Sequence, residues 1–387
     1  MNGSDTATSA GAADVALPAG ATGVVTVDLD AIAGNWRALA RLVRPAECAA
    51  VVKADAYGLG AARVIPALWG AGCRTFFVAT LAEAISARGL APSATIYMLD
   101  GIVEGAADAV REAGVLPVLS SLPEIKAWAG LSRSRQDRLA AGLHVDTGLN
   151  RLGLSASDVQ ALVRDMHALD RLDVTLVMSH LACADDPASP KNHQQRDVFQ
   201  RLVPLLPSTA RSLAASDGLM LGRDYHYDLV RPGYALYGGQ AFRGGATPVN
   251  PVVQVHAKVL QVRDVAPGQS VGYSATWSPG VASRIAVVAA GYADGLFRHL
   301  SRSTSGPGGQ VAIGGRLAPI VGRVSMDLVT VDVSGLQGDE VKPGDLVELV
   351  GPNVPVEAVG AAAGTIGYEV LTSLGRRFHR VYVGGGA

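Results

Sequence analysis

Lys53 closes an apolar run, Ala49–Lys53 (AAVVK). An amine at the end of a buried strand is costly unless it is paired or put to use. One reading is a snorkelling or ion-paired lysine. The other is an amine whose pKa falls in an apolar cavity, ready to form a Schiff base with a carbonyl. His180 closes a second run, Val174–His180, and Arg231 a third, Asp228–Arg231. Ser216-Asp217-Gly218 and Pro232-Gly233 are ordinary turn sequences, but they offer the small residues and backbone N–H groups that hold a phosphate.

His144 and His180, with Cys183, Asp185 and Asp186 close by, invite a metal reading. Such a site needs several neutral or anionic ligands converging. The chain has no His-x-His on its first strand, and Arg231 is a cation that would repel a metal, so no metal is expected. Either histidine taken alone is equally a hydrogen-bonded core residue.

From about Asp28 to Gly238, short β-branched runs alternate with helix-period segments. The strands read as Ala49–Lys53, Thr75–Thr80, Ala94–Leu99, Val115–Ser120, Gly142–Asp146, Val174–His180, Ala210–Ser216 and Asp228–Arg231. Helices are expected at Ala61–Ala71, Leu81–Leu90, Glu104–Glu112, Pro123–Ala129 and Asn192–Leu206, with Val159, Leu162, Val163, Met166 and Leu169 as a further apolar stripe capped by Ser155. Near-continuous apolar strands joined by helices point to an α/β fold, a parallel (β/α)8 barrel. An open doubly wound sheet competes, but no GxGxxG follows the first strand. In a barrel the reactive groups come from the C-terminal strand ends, and phosphate binds after the last two strands. Lys53, Arg231 and a phosphate cradle at one rim describe a site for a phosphorylated carbonyl cofactor, and pyridoxal phosphate fits that description.

From about Asn250 the pattern becomes alternating strands with PGQS, GPGG and KPGD turns, and one helical patch at Glu357–Ala363. The organisation expected is a disordered tail over 1–20, the cofactor-binding barrel over 24–248 and a mostly-β domain over 249–387. With 387 residues, 49% apolar and only 17% charged, the chain has ample surface to build such cores. Thirty-three basic residues against thirty-four acidic ones leave a net charge of −1, which argues against nucleic acid or an anionic membrane as partner. Three cysteines without a CxxC pair suggest reduced thiols, and the leading segment lacks the basic and apolar regions of a signal peptide, so a cytoplasmic protein is expected.

Eight segments carry a resemblance. VVKADAYGLG (Val51–Gly60), HVDTGLNRLG (His144–Gly153), SHLACAD (Ser179–Asp185), VRPGYALYG (Val230–Gly238), VGYSATW (Val271–Trp277), GYADG (Gly291–Gly295), GRVSMD (Gly322–Asp327) and GYE (Gly367–Glu369) occur in this order. Together they resemble the alanine racemase family, pyridoxal-phosphate enzymes with an N-terminal barrel and a C-terminal β domain. The resemblance implies interconversion of L- and D-alanine, supplying D-alanine for peptidoglycan, in a homodimer with shared active sites. Lys53 is implied as the cofactor-bearing lysine and one base, and Tyr273 of the partner chain as the base on the opposite face. Inverting a carbon by proton exchange requires a donor and an acceptor on opposite sides. His180 and Arg231 are implied as a relay to Tyr273, with Arg231 also facing the pyridine nitrogen.

Tyr57, Ser216, Gly233 and Tyr234 are implied at the phosphate, and Arg151 and the backbone of the partner's Met326 at the substrate carboxylate. Asp185, Tyr292, Arg298 and Arg323 are implied in the access channel, and Tyr368 there and beside the cofactor. Asp327 is implied to position its loop.

Two positions depart from the family pattern. His144 stands where many members carry a carbamylated lysine, and Ala215 where an asparagine is common. Serine or broad-range racemases share these motifs. A related barrel decarboxylase is disfavoured by the tyrosine and Arg-Pro-Gly segments. A non-catalytic pyridoxal-phosphate carrier would lack the β domain, and a metallohydrolase is the outside reading.

Overall fold

Residues 17–165, 167–336 and 341–385 are described in the structure, a computed structural model. The chain forms two units: Leu29–Pro251 together with the residues from Gly384, and the residues up to Asp28 together with Val252–Val383. Strand β1 (Gly23–Asp28) therefore precedes the first unit in sequence but belongs to the second.

The first unit opens with helix α1 (Leu29–Leu42) and a strand in two pieces, β2 (Glu47–Cys48) and β3 (Ala50–Val51). Then follow the short segment α2 (Lys53–Tyr57), α3 (Ala61–Ala71), β4 (Thr75–Val78), α4 (Leu81–Leu90), β5 (Thr95–Met98) and α5 (Ala107–Glu112). Next come β6 (Leu116–Leu119), α6 (Leu122–Arg135), β7 (Leu139–His144), α7 (Ala156–Arg164), β8 (Leu172–Met178), α8 (Pro190–Leu202), β9 (Ala210–Ser212) and β10 (Leu229–Val230).

Strands β3 to β9 pair in chain order as a parallel sheet, and β10 pairs in parallel with β2. The ring closes on one side through Ala49 N–H to Val230 O (3.0 Å) and Val51 N–H to Pro232 O (2.9 Å), and on the other through Arg231 N–H to Ala214 O (3.0 Å). With β2 and β3 taken as one strand, the expected barrel is complete. Helices cover the parallel sheet, so whole strands are apolar, as in the fully buried TFFV of β4. Phe76, Phe77, Ile96, Val118, Leu143 and Val177 lose all solvent contact, each worth about 1.5–3 kcal/mol of burial.

Several limits differ from the sequence reading. The first strand stops at Val51, so Lys53 is two residues beyond it. The helix capped by Ser155 ends at Arg164 and does not reach Leu169; Asp165 leaves helical geometry and its carboxylate accepts the N–H of His167 at 3.3 Å, a local competitor to the helical bond. Met166 lies outside the described residues, as do residues 1–16 of the expected tail.

The second unit contains β11 (Val253–Val265), β12 (Ser283–Val288), β13 (Gln310–Ile313), β14 (Arg316–Val321), β15 (Val329–Asp332), β16 (Leu346–Val350), α9 (Val356–Ala363), α10 (Gly367–Thr372) and β17 (His379–Val383). Its sheet runs β12-β15-β14-β13-β16-β11-β1-β17, and β11 also pairs with β12. Residues 24–28, expected at the start of the barrel, instead lie antiparallel to β11 and parallel to β17. Nothing local in GVVTVD names a partner more than two hundred residues away, which is why this segment was misplaced. Among the described residues, no helix is long and apolar enough to cross a membrane.

Candidate active site

Beyond β3 the backbone enters a left-handed turn. Ala54, Asp55, Ala56 and Tyr57 all have φ between 52° and 56°. For residues with a Cβ this conformation costs ~1–2 kcal/mol each, so a run of four needs support on every side. Ala56 N–H bonds Val52 O (3.0 Å), Gly58 N–H bonds Ala54 O (2.7 Å) and Gly60 N–H bonds Asp55 O (2.9 Å). The Asp55 carboxylate accepts Ala61 N–H at 2.8 Å, and Glu83 accepts Ala54 N–H at 2.7 Å. The turn begins one residue after Lys53, whose half-buried amine has no hydrogen bond or ion pair among the described residues. Burial, then the charge of Arg151, lowers the Lys53 pKa from its ordinary value, with Asp100 and Glu83 pulling the other way.

Arg231 is 3% exposed. Its Nη2 donates to Ser179 O at 2.6 Å, its Nη1 to Ser212 Oγ, and Ser212 Oγ donates onward to Leu229 O at 2.5 Å. Burial brings the guanidinium down to about 9, still protonated at neutral pH. The same Nη2 lies 3.5 Å from Nδ1 of His180. The fully buried Gln195 holds the end of β8 in place, donating to His180 O (2.9 Å) and Thr147 Oγ1 (3.2 Å) and accepting Ala182 N–H (2.8 Å). Burial, then the cations Arg231 and Arg151, takes His180 down to about 3. Burial and Arg231 take His144 down to about 4. Both imidazoles are therefore neutral near pH 7. No group of three or more His, Cys, Asp or Glu among the described residues could hold a metal ion.

Ser216 Oγ accepts the N–H groups of Gly233 (3.0 Å) and Ala235 (3.2 Å), which draws the turns after β9 and β10 together. A Cβ on Gly233 would meet the hydroxyl of Tyr57, so only glycine allows that approach. Tyr57 packs against Tyr237 with ring centroids 4.8 Å apart, and the Tyr237 hydroxyl donates to Val51 O at 2.9 Å. Burial raises the pKa of both phenols, so they stay protonated donors. Tyr234, three residues before Tyr237, is buried, and Ala215 forms the bridge to Arg231. The Asp146 carboxylate accepts the N–H groups of Gly148 (2.9 Å), Leu149 (3.0 Å) and Asn150 (3.1 Å), shaping the loop that carries Arg151. Arg151 is exposed and has no hydrogen bond among the described residues. Asp185 is ion-paired with Arg243 at 2.7 Å.

In the second unit, Tyr273 sits on a loop closed by Val271 N–H to Trp277 O (2.9 Å), with Ser274 and Ala275 at φ 60° and 48°. Its side chain is 72% exposed, and its hydroxyl has no hydrogen bond among the described residues. The Gly291–Gly295 and Gly322–Asp327 loops are joined by Tyr292 N–H to Ser325 O and Ala293 N–H to Met326 O, both 3.0 Å. The Met326 N–H itself has no partner among the described residues. Arg377 ties the two loops further, bonding buried Asp294 through Nε (2.8 Å) and Nη2 (2.7 Å) and Asp327 through Nη1 (2.7 Å). Arg298 is exposed, Arg323 half-buried, and Tyr368 lies in the first turn of α10.

The barrel thus gathers Lys53, Tyr57, His144, Arg151, His180, Ser216, Arg231, Gly233 and Tyr234 at its C-terminal strand ends. Tyr273, Tyr292, Arg298, Arg323, Met326 and Tyr368 belong to the other unit. The sequence reading missed Glu83, Gln195, Ser212, Tyr237 and Arg377. Of these only Glu83 had a local signal, the Thr80-x-x-Glu83 spacing of a capping box.

Residues 27–241 match the family model for the alanine racemase N-terminal domain, and residues 252–382 that for the alanine racemase C-terminal domain. The chain is 46% identical to an alanine racemase of Methylobacterium sp. strain 4-46, covering 93% of this chain and 97% of the relative. It is 45% identical to a biosynthetic alanine racemase of Agrobacterium fabrum, covering 93% of each. Among solved structures, an alanine racemase from Bartonella henselae with covalently bound pyridoxal phosphate superposes with a TM-score of 0.90 at 41% identity, covering 94% of this chain and all (100%) of that one.

Proposed function

The chain belongs to the alanine racemase family, and from that premise we propose that it interconverts L- and D-alanine with pyridoxal 5'-phosphate held on Lys53 and two bases on opposite faces. The observation that carries this reading is the half-buried Lys53 amine, without a partner among the described residues, in the same barrel rim as buried Arg231 and the Ser216–Gly233 cradle. The residues suit the cofactor. Lys53 offers a free amine of lowered pKa. Ser216 and Tyr57 carry hydroxyls that would hold a phosphate beside the backbone of Gly233 and Tyr234, and the missing Cβ of Gly233 lets the Tyr57 hydroxyl approach that turn. When bound, pyridoxal phosphate supplies an electron-withdrawing ring that acidifies the Cα–H of a joined amino acid.

The chain's own groups do the rest. Once the substrate amine has taken its place on the cofactor, the released Lys53 Nζ, its pKa lowered from the ordinary lysine value, would take and return a proton at Cα on one face. Tyr273 from a second copy of the chain does so on the other; its exposed phenol on a tight, partly left-handed loop supports a role in a homodimer with shared sites. His180 and Arg231 form the relay behind that phenol. A guanidinium donates hydrogen bonds without releasing its proton, so Arg231 facing the ring nitrogen would leave that nitrogen unprotonated, which would favour return of the proton to Cα. Arg151 and the free N–H of Met326 from the second copy hold the substrate carboxylate. With neutral His144 in place of a carbamate, Arg151 is oriented by its Asp146-capped loop instead. Asp185, Tyr292, Arg298, Arg323 and Tyr368 line the approach. D-alanine would feed peptidoglycan assembly, and the free thiols Cys48, Cys73 and Cys183 support a cytoplasmic setting.

The test is chiral analysis of L-alanine incubated with the purified protein, beside a borohydride-sensitive visible band. Lys53→Ala should lose the band, and no conversion of L-alanine by the coloured wild type would sink the reading.

A further inference from the structure

The capping box of α4 has an acid with two tasks. Glu83 Oε2 accepts the N–H groups of Ala79 (2.8 Å) and Thr80 (3.3 Å), the usual inward half of such a box. Its Oε1 reaches past the helix to the segment after β3, the strand beside β4, and accepts Ala54 N–H at 2.7 Å. Helix α6 repeats the arrangement. Glu124 Oε2 accepts Ser120 N–H at 2.8 Å, while Oε1 accepts Ile102 N–H at 3.0 Å in the loop after β5. The loop held by Glu124 contains Gly101, whose φ of 69° costs a glycine nothing. The loop held by Glu83 is the left-handed run Ala54–Tyr57, in which every residue carries a Cβ. The same device therefore secures an unstrained loop in one place and a strained one in the other.

We infer that Glu83 is a positioning residue for Lys53: by gripping the N–H of Ala54 it holds the left-handed turn and so fixes where the lysine side chain leaves the rim. This rests on the reading of Lys53 as the cofactor-bearing lysine. The charge of Glu83 also acts on the amine, raising its pKa together with Asp100 against the lowering by burial and Arg151.

Two measurements on Glu83→Gln test it: the dissociation constant of pyridoxal phosphate, and deuterium uptake over residues 52–60. A charge-assisted hydrogen bond lost at this point should weaken the cofactor about tenfold or more and speed exchange across the turn. Thr80→Ala, which removes the helix cap but leaves the Ala54 contact, should change neither. Ala54→Gly in the Glu83→Gln background should restore cofactor affinity, because glycine adopts positive φ freely. Glu83→Asp, charged but one carbon short of both loops, serves if Glu83→Gln does not fold. Cofactor affinity or exchange at the wild-type level in the Glu83 variant overturns the assignment, as does an equal loss in Thr80→Ala. If wild-type protein carries no cofactor on Lys53, the reading of the site falls and the exchange arm alone decides whether Glu83 holds the turn.

Discussion

Nη2 of Arg231 lies 3.5 Å from Nδ1 of His180. A guanidinium nitrogen only donates, so Nδ1 is the acceptor and the ring proton resides on Nε2. Surrounded by burial and positive charge, the ring stays neutral down to about pH 3. A neutral imidazole with its proton on Nε2 has a donor to offer a phenolate, the form Tyr273 takes in the proposed reaction. Arg231→Lys keeps a charge but loses the fork that spans Ser179 and Ser212. We expect racemisation to fall about a hundredfold, checked by kcat in both directions, with transamination of alanine rising relative to it.

Tyr273→Phe removes one base and not the other, so the two directions should suffer unequally, by about 10²–10⁴ in the worse one. Shared sites add a sharper expectation. Inactive Lys53→Ala and Tyr273→Phe chains, dissociated and reassociated together, should recover about a quarter of wild-type activity, because half the random dimers carry one intact site of two. No recovery, with mixed dimers demonstrated, would place both bases in one chain.

Gly233→Ala puts a methyl against the Tyr57 hydroxyl. The φ of Gly233 is −126°, outside the left-handed region, and the conflict is one of space. The cofactor should bind about tenfold more weakly, read by fluorescence titration, with ~1–3 kcal/mol lost in unfolding.

His144 is held neutral, at about 4, against an ordinary histidine value of ~6.5. Its folded pKa is depressed, so the unfolded chain binds the extra proton first as pH falls. The stability it contributes is full above ~6.5 and is lost on descent toward about 4, on the order of 3 kcal/mol. Urea midpoints between those values should therefore fall with pH, and His144→Gln should flatten the slope. An unchanged slope would show that the ring is not buried neutral.

The candidate site residues were legible because apolar runs lead up to them. Lys53, His180 and Arg231 each follow an apolar run, and motif order tied them to partners such as Ser216 and Gly233. The helix Leu81–Leu90, capped by Thr80 and followed by Pro92, was read to its ends. Where a side chain competed locally, as Asp165 does after Arg164, the limit slipped.

Composition, periodicity and motif order were enough to specify a barrel, a β domain and the chemical types at the rim, since each depends on residues near one another in the chain. The pairing of Gly23–Asp28 with β11 and β17, the closure of β10 on β2, and the left-handed turn held by Glu83 depended on the assembled fold. Their hydrogen bonds join residues far apart in sequence, and a strained φ at Ala54 is favourable only once those distant partners are in place.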